Sequence, residues 1–491
     1  MKRVIFIFLV LLVGSSLSAK VESSTYSNVT VSEAVSMISS NPSLVILDVR
    51  TQSEYDSGHI RNAKLIPSTE LSSRLDELNE TDQILVYCLS GGRSAAASQT
   101  LVDNGFLNIY NMLGGITAWI GAGHPTYIKY SSIQEAINNA NEGDSLHISS
   151  GTYFENIVIN KSVSIFGENK DTTAIDGGRV GSVVEVTSNN VVFNGFSVKN
   201  SSLETGTSHA GIKISGANGC SIADNFVMEN RFGIFAFSQG TGIQDNVVID
   251  NNQGVVLYSS FSMTIEKNNV SRNTVGISLA YCHDNIVLGN DVKNSSAGGH
   301  GIIISSDSFN NSVVSNEIFN NYHGMWLSNS HNNSILRNTM INNSLLGIEL
   351  AESSDNILFK NNFVGNPKHF VIDDFSVNLW DDSCEGNYWD NYNGTDSDDD
   401  GVGETAYIIN QNNTDRHPLI NFQWSPCDIN HDWKVDMRDV GSAARAFGTE
   451  PGDERWNCHA DITGPIYLVP DKKVDMRDIG LVARYFGETY T

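Results

Sequence analysis

Seven consecutive residues, Cys88-Leu89-Ser90-Gly91-Gly92-Arg93-Ser94, have the types and spacing that a reaction needs. They follow an apolar run, Ile84-Leu85-Val86-Tyr87, that reads as a buried strand, and they precede Ala95 to Val102, which has helix-forming composition. A cysteine on a strand-to-helix turn sits where backbone N–H groups converge and where the helix dipole favours negative charge. That setting lowers a thiol pKa, and the thiolate is the nucleophile. Gly91 and Gly92 let the loop curl so that its amides face one point, and Arg93 closes it with a fixed cation. The expected result is a small anion cup walled by Leu89, Ser90, Gly91, Gly92, Arg93 and Ser94, with the Cys88 sulfur at its base. The bland alternative is a buried structural cysteine at a strand end, and glycines followed by arginine at this spacing argue against it.

The flanking residues supply the frame. Asp48-Val49-Arg50, Glu54-Tyr55, Gly58-His59-Ile60, the stretch Ala63 to Pro67, and Gly114-Gly115-Ile116 with Trp119 form a set that resembles the single-domain rhodanese family over residues 26–125. The resemblance implies an α/β domain and a sulfurtransferase. Cys88 would attack the outer sulfur of a donor such as thiosulfate, become a persulfide and pass the sulfur on. Four residues separate cysteine from arginine, where the related phosphatases have five and a roomier cup, so a sulfur-centred anion is expected over a phosphate. Leu89 departs from the family, which often has a basic residue there. Asp48 and Arg50 are expected to pair and brace the loop.

At 491 residues the chain is too long for one ordinary domain. Residues 1–19 begin Met1-Lys2-Arg3, continue with the apolar run Ile5 to Val13 and end at Ser18-Ala19, the pattern of a secretory signal peptide. The run is too short to span a bilayer, and no later stretch is long enough to anchor the mature chain. A net charge of −26 argues against nucleic acid and anionic membranes as partners, and its Asp-rich loops suit calcium. Six cysteines over this length do not make a disulfide scaffold. Asn-x-Ser/Thr sequons at Asn28, Asn79, Asn160, Asn269, Asn310, Asn342 and Asn393 are either glycosylation sites or chance products of an Asn- and Ser-rich chain.

The middle of the chain repeats. Glycine followed by an apolar residue recurs at Gly211, Gly233, Gly254, Gly276, Gly301, Gly324 and Gly347, and a second column runs through Asn225, Asn246, Asn268, Asn290, Asn316, Asn338 and Asn361. A period of about 22 residues with short strands between the columns is a solenoid signature. Each repeat is expected to be one coil of a right-handed parallel β-helix, with inward asparagines bonding in a ladder. Ser132 to Ile137, Gly143-Asp144 and Gly151-Thr152-Tyr153 look like the helical cap and first coil of pectin-lyase-like β-helices. Gly386-Asn387-Tyr388-Trp389-Asp390, Gly394-Thr395-Asp396 and Gly403 to Tyr407 resemble the closing segment of the NosD-like family, over about residues 127–424. Such membership sets a fold and not an activity.

Chemistry on the coils is sparse. Lys213, Arg231, Lys267, Arg272 and Arg337 are scattered, so no lyase site is expected, and the region reads as a rigid spacer or a glycan-recognising surface. His300 and His323 precede the repeat glycine in consecutive coils. They are either exposed polar residues or a stacked pair able to bind copper or zinc. Cys220 and Cys282 are expected to fill the core.

Three acidic loops point to Ca2+. Asp396, Asp398 and Asp400, followed by Gly401, fit the first half of a calcium loop, with a solvated acidic turn as the competing reading. Asp428, Asn430, Asp432, Lys434 (through its carbonyl), Asp436 and Asp439 occupy positions 1, 3, 5, 7, 9 and 12 of an EF-hand-like loop. Asp461, Thr463, Asp471, Asp475 and Asp478 align with them if residues between Gly464 and Pro470 are an insertion. The loops lead into nearly identical segments, Val435 to Gly441 and Val474 to Gly480, and the pair resembles a type I dockerin over residues 427–488. The resemblance implies a cohesin partner, recognised through Met437-Arg438 and Met476-Arg477. Trp433 and Lys472 replace the usual glycine. Cys427 and Cys458 either form a disulfide or are two independent buried thiols.

The expected protein is secreted or at the cell surface. An α/β rhodanese domain precedes an all-β parallel solenoid and a small α-helical calcium module, with no organic cofactor. The leading function is sulfur transfer through Cys88. The alternative is a non-catalytic surface scaffold or glycan-binding protein whose rhodanese domain senses an anion or redox state.

Overall fold

The run Ile84-Leu85-Val86-Tyr87 is apolar throughout because it lies in the middle of a sheet covered on both faces, and all four residues are fully buried. The computed structural model describes residues 25–489 apart from 297, 398, 399, 423, 424, 426, 430–433, 465–467 and 469; the expected leader, residues 1–19, lies outside them. Two compact units divide the chain at residues 126 and 127.

In the first unit, strands β1 (Ser27–Val29), β2 (Val45–Asp48), β3 (Lys64–Leu65), β4 (Gln83–Tyr87) and β5 (Asn108–Met112) form one sheet in the order β1-β5-β4-β2-β3. Every pairing is parallel. Helices α1 (Val31–Ser40), α2 (Gln52–Asp56), α3 (Gly92–Asp103) and α4 (Gly115–Gly121) make the connections. Thr30 and Thr51 each start a helix with a capping box, closed by Glu33 and Glu54. Helix α3 begins three residues earlier than its composition suggests. Gly91, at φ 105°, takes the left-handed turn that lets the chain enter the helix at once.

The second unit is a parallel solenoid of three sheets, with eleven, ten and ten strands. Equivalent residues stack along a column: Val227, Val248, Val270, Val292, Ile318, Met340 and Phe363 are consecutive register partners, all fully buried. The expected cap is present as α5 (Ile133–Asn139), which buries Ile133, Ala136 and Ile137 on the first coil. Glu155 accepts from Ser132 Oγ at 2.8 Å and from the Ile133 amide at 2.7 Å, fixing the start of that helix. The glycine column answers a close approach. A Cβ on Gly254 or Gly276 would lie 2.5 Å from the carbonyl oxygen of the glycine one coil on.

Asparagine ladders run at three corners, not one. In the expected column each amide Oδ1 accepts both N and Nδ2 of the preceding rung, as at Asn290, which donates both to Asn316 at 2.9 Å. A second column holds Asn230, Asn251 and Asn273, then Asn321, Asn343 and Asn366. A third holds Asn285, Asn311, Asn333, Asn356 and Asn378. The residue before the rung turns the corner at positive φ, as Asp245, Lys267, Arg337 and Lys360 do. Such residues cost roughly 1 kcal/mol each outside glycine, and the buried side-chain hydrogen bonds that follow hold them there.

Two of the ladders end in one hairpin, Tyr407–Asn410 with Asn413–Asp415. Asn413 Oδ1 takes the Asn378 amide and the Trp380 indole N–H, at 2.9 and 3.1 Å. Asp415 Oδ2 takes the Asn387 amide and the Trp389 indole N–H, at 2.8 and 2.9 Å. Burial pushes the Asp415 carboxyl up to about 6, and hydrogen bonds from Asn387, Trp389 and His417 only partly offset this. A pKa raised in the folded state stabilises below the unfolded value and is lost as pH rises through the folded one. The solenoid should therefore lose about 3 kcal/mol between about pH 4 and pH 7 from this group. Asp415→Asn should flatten that dependence in urea-unfolding midpoints measured across the range; an unchanged slope would remove Asp415 as its source.

The described part of the C-terminal segment packs against the coils. Val314, Leu336 and Phe359 share one apolar cluster with Cys427, Val435, Ile462 and Leu481. Arg337 Nη1 donates to the carbonyls of Ile462 and Leu468, at 2.9 and 2.7 Å. Helices α6 (Met437–Ala446) and α7 (Met476–Arg484) each start at an aspartate N-cap with a second aspartate closing a capping box. The cysteine pairing differs from the one considered from sequence. Cys458 is bonded to Cys384, with Cα atoms 6.2 Å apart, while Cys427 is a free buried thiol. Cys384 sits 74 residues away, and only the folding of the module onto the coils brings it near. Cys220 and Cys282 are free and buried in the solenoid core, as expected.

Candidate active site

The end of β4 places Cys88 at the floor of the loop, 1% exposed, with Leu89 and Ser90 on the rim. The Gly91 amide donates to Sγ at 3.2 Å. Burial alone raises the thiol pKa. The Ser94 hydroxyl and the amides of Ser94, Gly91 and Ser90 bond to the sulfur and outweigh it, so the net shift is downward. Ser94 is fully buried in the first turn of α3, and its one hydroxyl proton is shared between the sulfur and the Gly91 carbonyl, 3.1 Å away.

The loop carbonyls are drawn the other way. Cys88 O accepts from the Ile116 amide at 2.8 Å, and Leu89 O accepts from the Thr117 amide at 3.1 Å and its hydroxyl at 2.9 Å. The start of α4 thus turns the peptide groups so that their N–H sides face the sulfur. Gly115 makes this contact possible. Its φ is +57°, and a Cβ there would lie 2.3 Å from Cys88 O. Gly115→Ala should cost about 2–4 kcal/mol and remove most activity, read as a lowered unfolding midpoint of the first unit and a fall in kcat/KM. Full activity in a normally stable variant would show that the close approach is dispensable.

Arg93 stands at the end of the loop with a carboxylate partner. Both its Nη atoms bond Glu54, at 2.8 and 2.6 Å, in a half-exposed pair. The arginine bonds, with help from Thr51, hold the Glu54 carboxyl down at about 2 despite the penalty of burial. The sequence marks Glu54 as part of the frame but does not reveal its partner. Its capping-box position, Thr51-x-x-Glu54, is visible there, but its second bond spans 39 residues and leaves no local signature. Asp48 and Arg50 do pair, at 2.6 Å, both essentially buried. Arg50 also donates to Gly58 O at 2.8 Å, lies over the Tyr87 ring at 5.6 Å, and so ties β2 to the strand that carries Cys88.

The sequence matches the family described as "Rhodanese-like domain" over residues 30–122. It matches the family described as "Periplasmic copper-binding protein (NosD)" over residues 122–300 and 187–394, together more than half of the chain. The thiosulfate sulfurtransferase GlpE of Coxiella burnetii is 37% identical over 83 residues, 17% of this chain and 77% of the relative. The chain belongs to the rhodanese family in its first unit and to the NosD family in its second. Two Bacillus subtilis proteins, YrkF and YqhL, are 42% and 40% identical to the rhodanese unit, and this chain spans only 45% and 60% of their length. A rhodanese-related crystal structure from Thermoplasma volcanium aligns over 21% of this chain and all of its own, at 34% identity and TM-score 0.20.

On the NosD solenoid, His300 and His323 are register partners with ring centroids 4.6 Å apart. Burial, then the neighbouring His323, pushes His300 down to about 4, and burial pushes His323 down against the pull of Glu349. Trp326 stacks on His300 at 5.2 Å, and His323 Nδ1 lies 3.5 Å from Glu349.

The acidic loops are held largely by their own backbone. Asp396 accepts from the amides of Asp400 and Gly401, and Asp400 from that of Val402; Asp398 lies outside the described residues. Asp439 bonds the Ile429 and Asp436 amides, while Asn430, Asp432 and Trp433 lie outside the described residues. Lys434 bridges to Thr489 and leads into Val435 and the Asp436 N-cap, with Asp428 at the loop entrance. In the second loop Asp478 binds the amides of Ile462, Thr463 and Asp475, and Asp461 those of Asp471 and Lys472. The Thr463 hydroxyl accepts from the Leu468 amide. Asp471 Oδ1 is buried without a hydrogen-bond partner, while its Oδ2, like Asp475, pairs with Arg477. That orphaned oxygen among all-oxygen donors fits a hard cation.

Proposed function

We propose that the rhodanese unit is an extracytoplasmic sulfurtransferase working through a persulfide on Cys88. The observation that carries the reading is the ring of donors on Sγ, which lowers the thiol pKa although the sulfur is buried. The thiolate attacks the outer sulfur of thiosulfate. The donor's S–S bond breaks, sulfite leaves with the electron pair, and Cys88 becomes Cys–S–S⁻. The amides that held the thiolate then face the terminal sulfur, until an acceptor nucleophile removes it and restores the thiolate. Leu89, Ser90, Gly91, Gly92, Arg93 and Ser94 bind the anion, and Asp48 with Arg50 positions the loop.

Extracytoplasmic placement draws support from the leader-like residues 1–19, the periplasmic family to which the solenoid belongs and the Cys384–Cys458 disulfide. No helix among the described residues is long and apolar enough to cross a membrane. In the same reading the C-terminal segment is a calcium-dependent docking module for a cohesin. Asp428, Asn430, Asp432, Lys434, Asp436 and Asp439 hold one Ca2+, and Asp461, Thr463, Asp471, Asp475 and Asp478 the other. Met437 and Met476, each 66% exposed on equivalent helix starts, meet the partner. The solenoid is the carrier and offers its outer face to glycans.

A non-catalytic surface scaffold with an anion-sensing rhodanese unit is the second reading. It is favoured by Glu54, whose pairing with Arg93 offsets positive charge at the loop. Intact-mass measurement after thiosulfate treatment separates the two. One added sulfur atom on Cys88, removed by cyanide, is the expected result, and an unmodified Cys88 in reduced protein would favour the scaffold.

A further inference from the structure

We propose that Cys384, Cys458 and His459, once their disulfide is reduced, bind one thiophilic d10 cation, Zn2+ or Cu+. These three are the one group of metal-ligating side chains among the described residues whose donor atoms all lie within 4.8 Å of one another. The site straddles the weld between solenoid and C-terminal helices, far in character from the all-oxygen calcium loops. Two sulfurs and an imidazole select soft or borderline cations over Ca2+ or Mg2+.

The imidazole is already aimed. His459 Nε2 lies 3.8 Å from Cys384 Sγ, and its Nδ1 lies 3.0 Å from Glu385 Oε1. A carboxylate on one ring nitrogen leaves the other as a lone-pair donor, the arrangement that orients histidine ligands in metalloproteins. Glu385 is itself 2% exposed and ion-paired with the buried Lys360, so the orienting carboxylate is fixed. Metal–sulfur and metal–nitrogen bonds of about 2.3 and 2.05 Å span that 3.8 Å gap at an angle of about 120°. The ring therefore needs little movement. Opening the disulfide lets the two sulfurs separate to the spacing of a shared cation, and the 6.2 Å between their Cα atoms needs no backbone shift to allow it. Both cysteines are only partly buried, so a reductant and an ion have access.

The balance is simple. A dithiol reductant gives two electrons and two protons to the Cys384–Cys458 bond and becomes a disulfide. Each resulting thiol releases its proton as the cation binds. The site is thus closed to metal when oxidised and open when reduced.

The test uses the full-length chain carrying Cys88→Ser, which removes the other thiol expected to be reactive. Reduced protein, freed of reductant under anaerobic conditions, is titrated with Co2+ as a spectroscopic stand-in for Zn2+. One equivalent with a thiolate-to-cobalt charge-transfer band, displaced by Zn2+, is expected, and no band in the oxidised protein. A parallel arm with Cu+ against a chromophoric chelator decides which cation is held more tightly. His459→Gln, which keeps both cysteines and the disulfide, should weaken binding at least about 10-fold. Binding that is equal in oxidised and reduced protein, or unchanged in His459→Gln, or retained in Cys384→Ser/Cys458→Ser, would overturn the proposal.

Discussion

Cys88→Ser should lower kcat/KM for sulfur transfer from thiosulfate to cyanide by at least about 1,000-fold, the scale of losing a covalent nucleophile. The donors around Sγ lower the thiol pKa, but a serine hydroxyl starts many units higher, and the same donors leave it neutral. An oxygen in that position also cannot store a transferable sulfane sulfur. The substitution is nearly isosteric at a site 1% exposed, so the unfolding midpoint of the first unit should hardly move. The wild-type rate should also persist to a lower pH than an ordinary thiol allows, because the Cys88 pKa is depressed. Substantial activity in Cys88→Ser would place the chemistry elsewhere.

Asn316→Ala is expected to destabilise the solenoid by roughly 3–6 kcal/mol. The side chain is 1% exposed and occupies the middle of a ladder. Its Oδ1 satisfies two donors of Asn290. Its Nδ2 serves the carbonyls of Val287 and Val314 and the next rung, Asn338. Alanine orphans the buried Asn290 backbone N–H, removes one of the three acceptors of Asn290 Nδ2, and takes a donor from the Val287 and Val314 carbonyls. In a solenoid each coil depends on its neighbours alone, so the damage should be local. Hydrogen exchange should accelerate in the coils around residues 290–338 and stay slow near α5. Uniform protection across the variant would mean that the rungs carry little of the stability.

The chemistry and the coils were legible because both rest on short-range patterns. Cys88 to Ser94 is one contiguous loop, and the glycine and asparagine columns repeat at a nearly fixed interval. The other two asparagine columns have the same period and were equally visible in principle. They hide because this chain is rich in asparagine, and only the left-handed residue before each rung separates a corner from a loop. What the sequence withheld is long-range. Glu54 meets Arg93 across 39 residues, Cys384 meets Cys458 across 74, and Arg337, a scattered base when read along the chain, proves to hold the C-terminal segment. Each of these contacts is set by packing between elements, for which local spacing carries no information.

The ladders also have a direction. Along the ladders the backbone N–H of a rung is taken by the side-chain oxygen of the rung one coil later, and Asn413 and Asp415 supply the final acceptors for two of the three columns. A chain emerging from its amino end therefore has a newest rung whose backbone N–H still waits for its acceptor. Coils can stack as they appear, but the stack is finished only when the hairpin at residues 407–415 arrives. Synthesis halted before that point would yield a solenoid with an open, donor-rich end, primed to recruit the edge of another copy. In that sense the hairpin is the stop signal of a polymerisation that runs within a single chain.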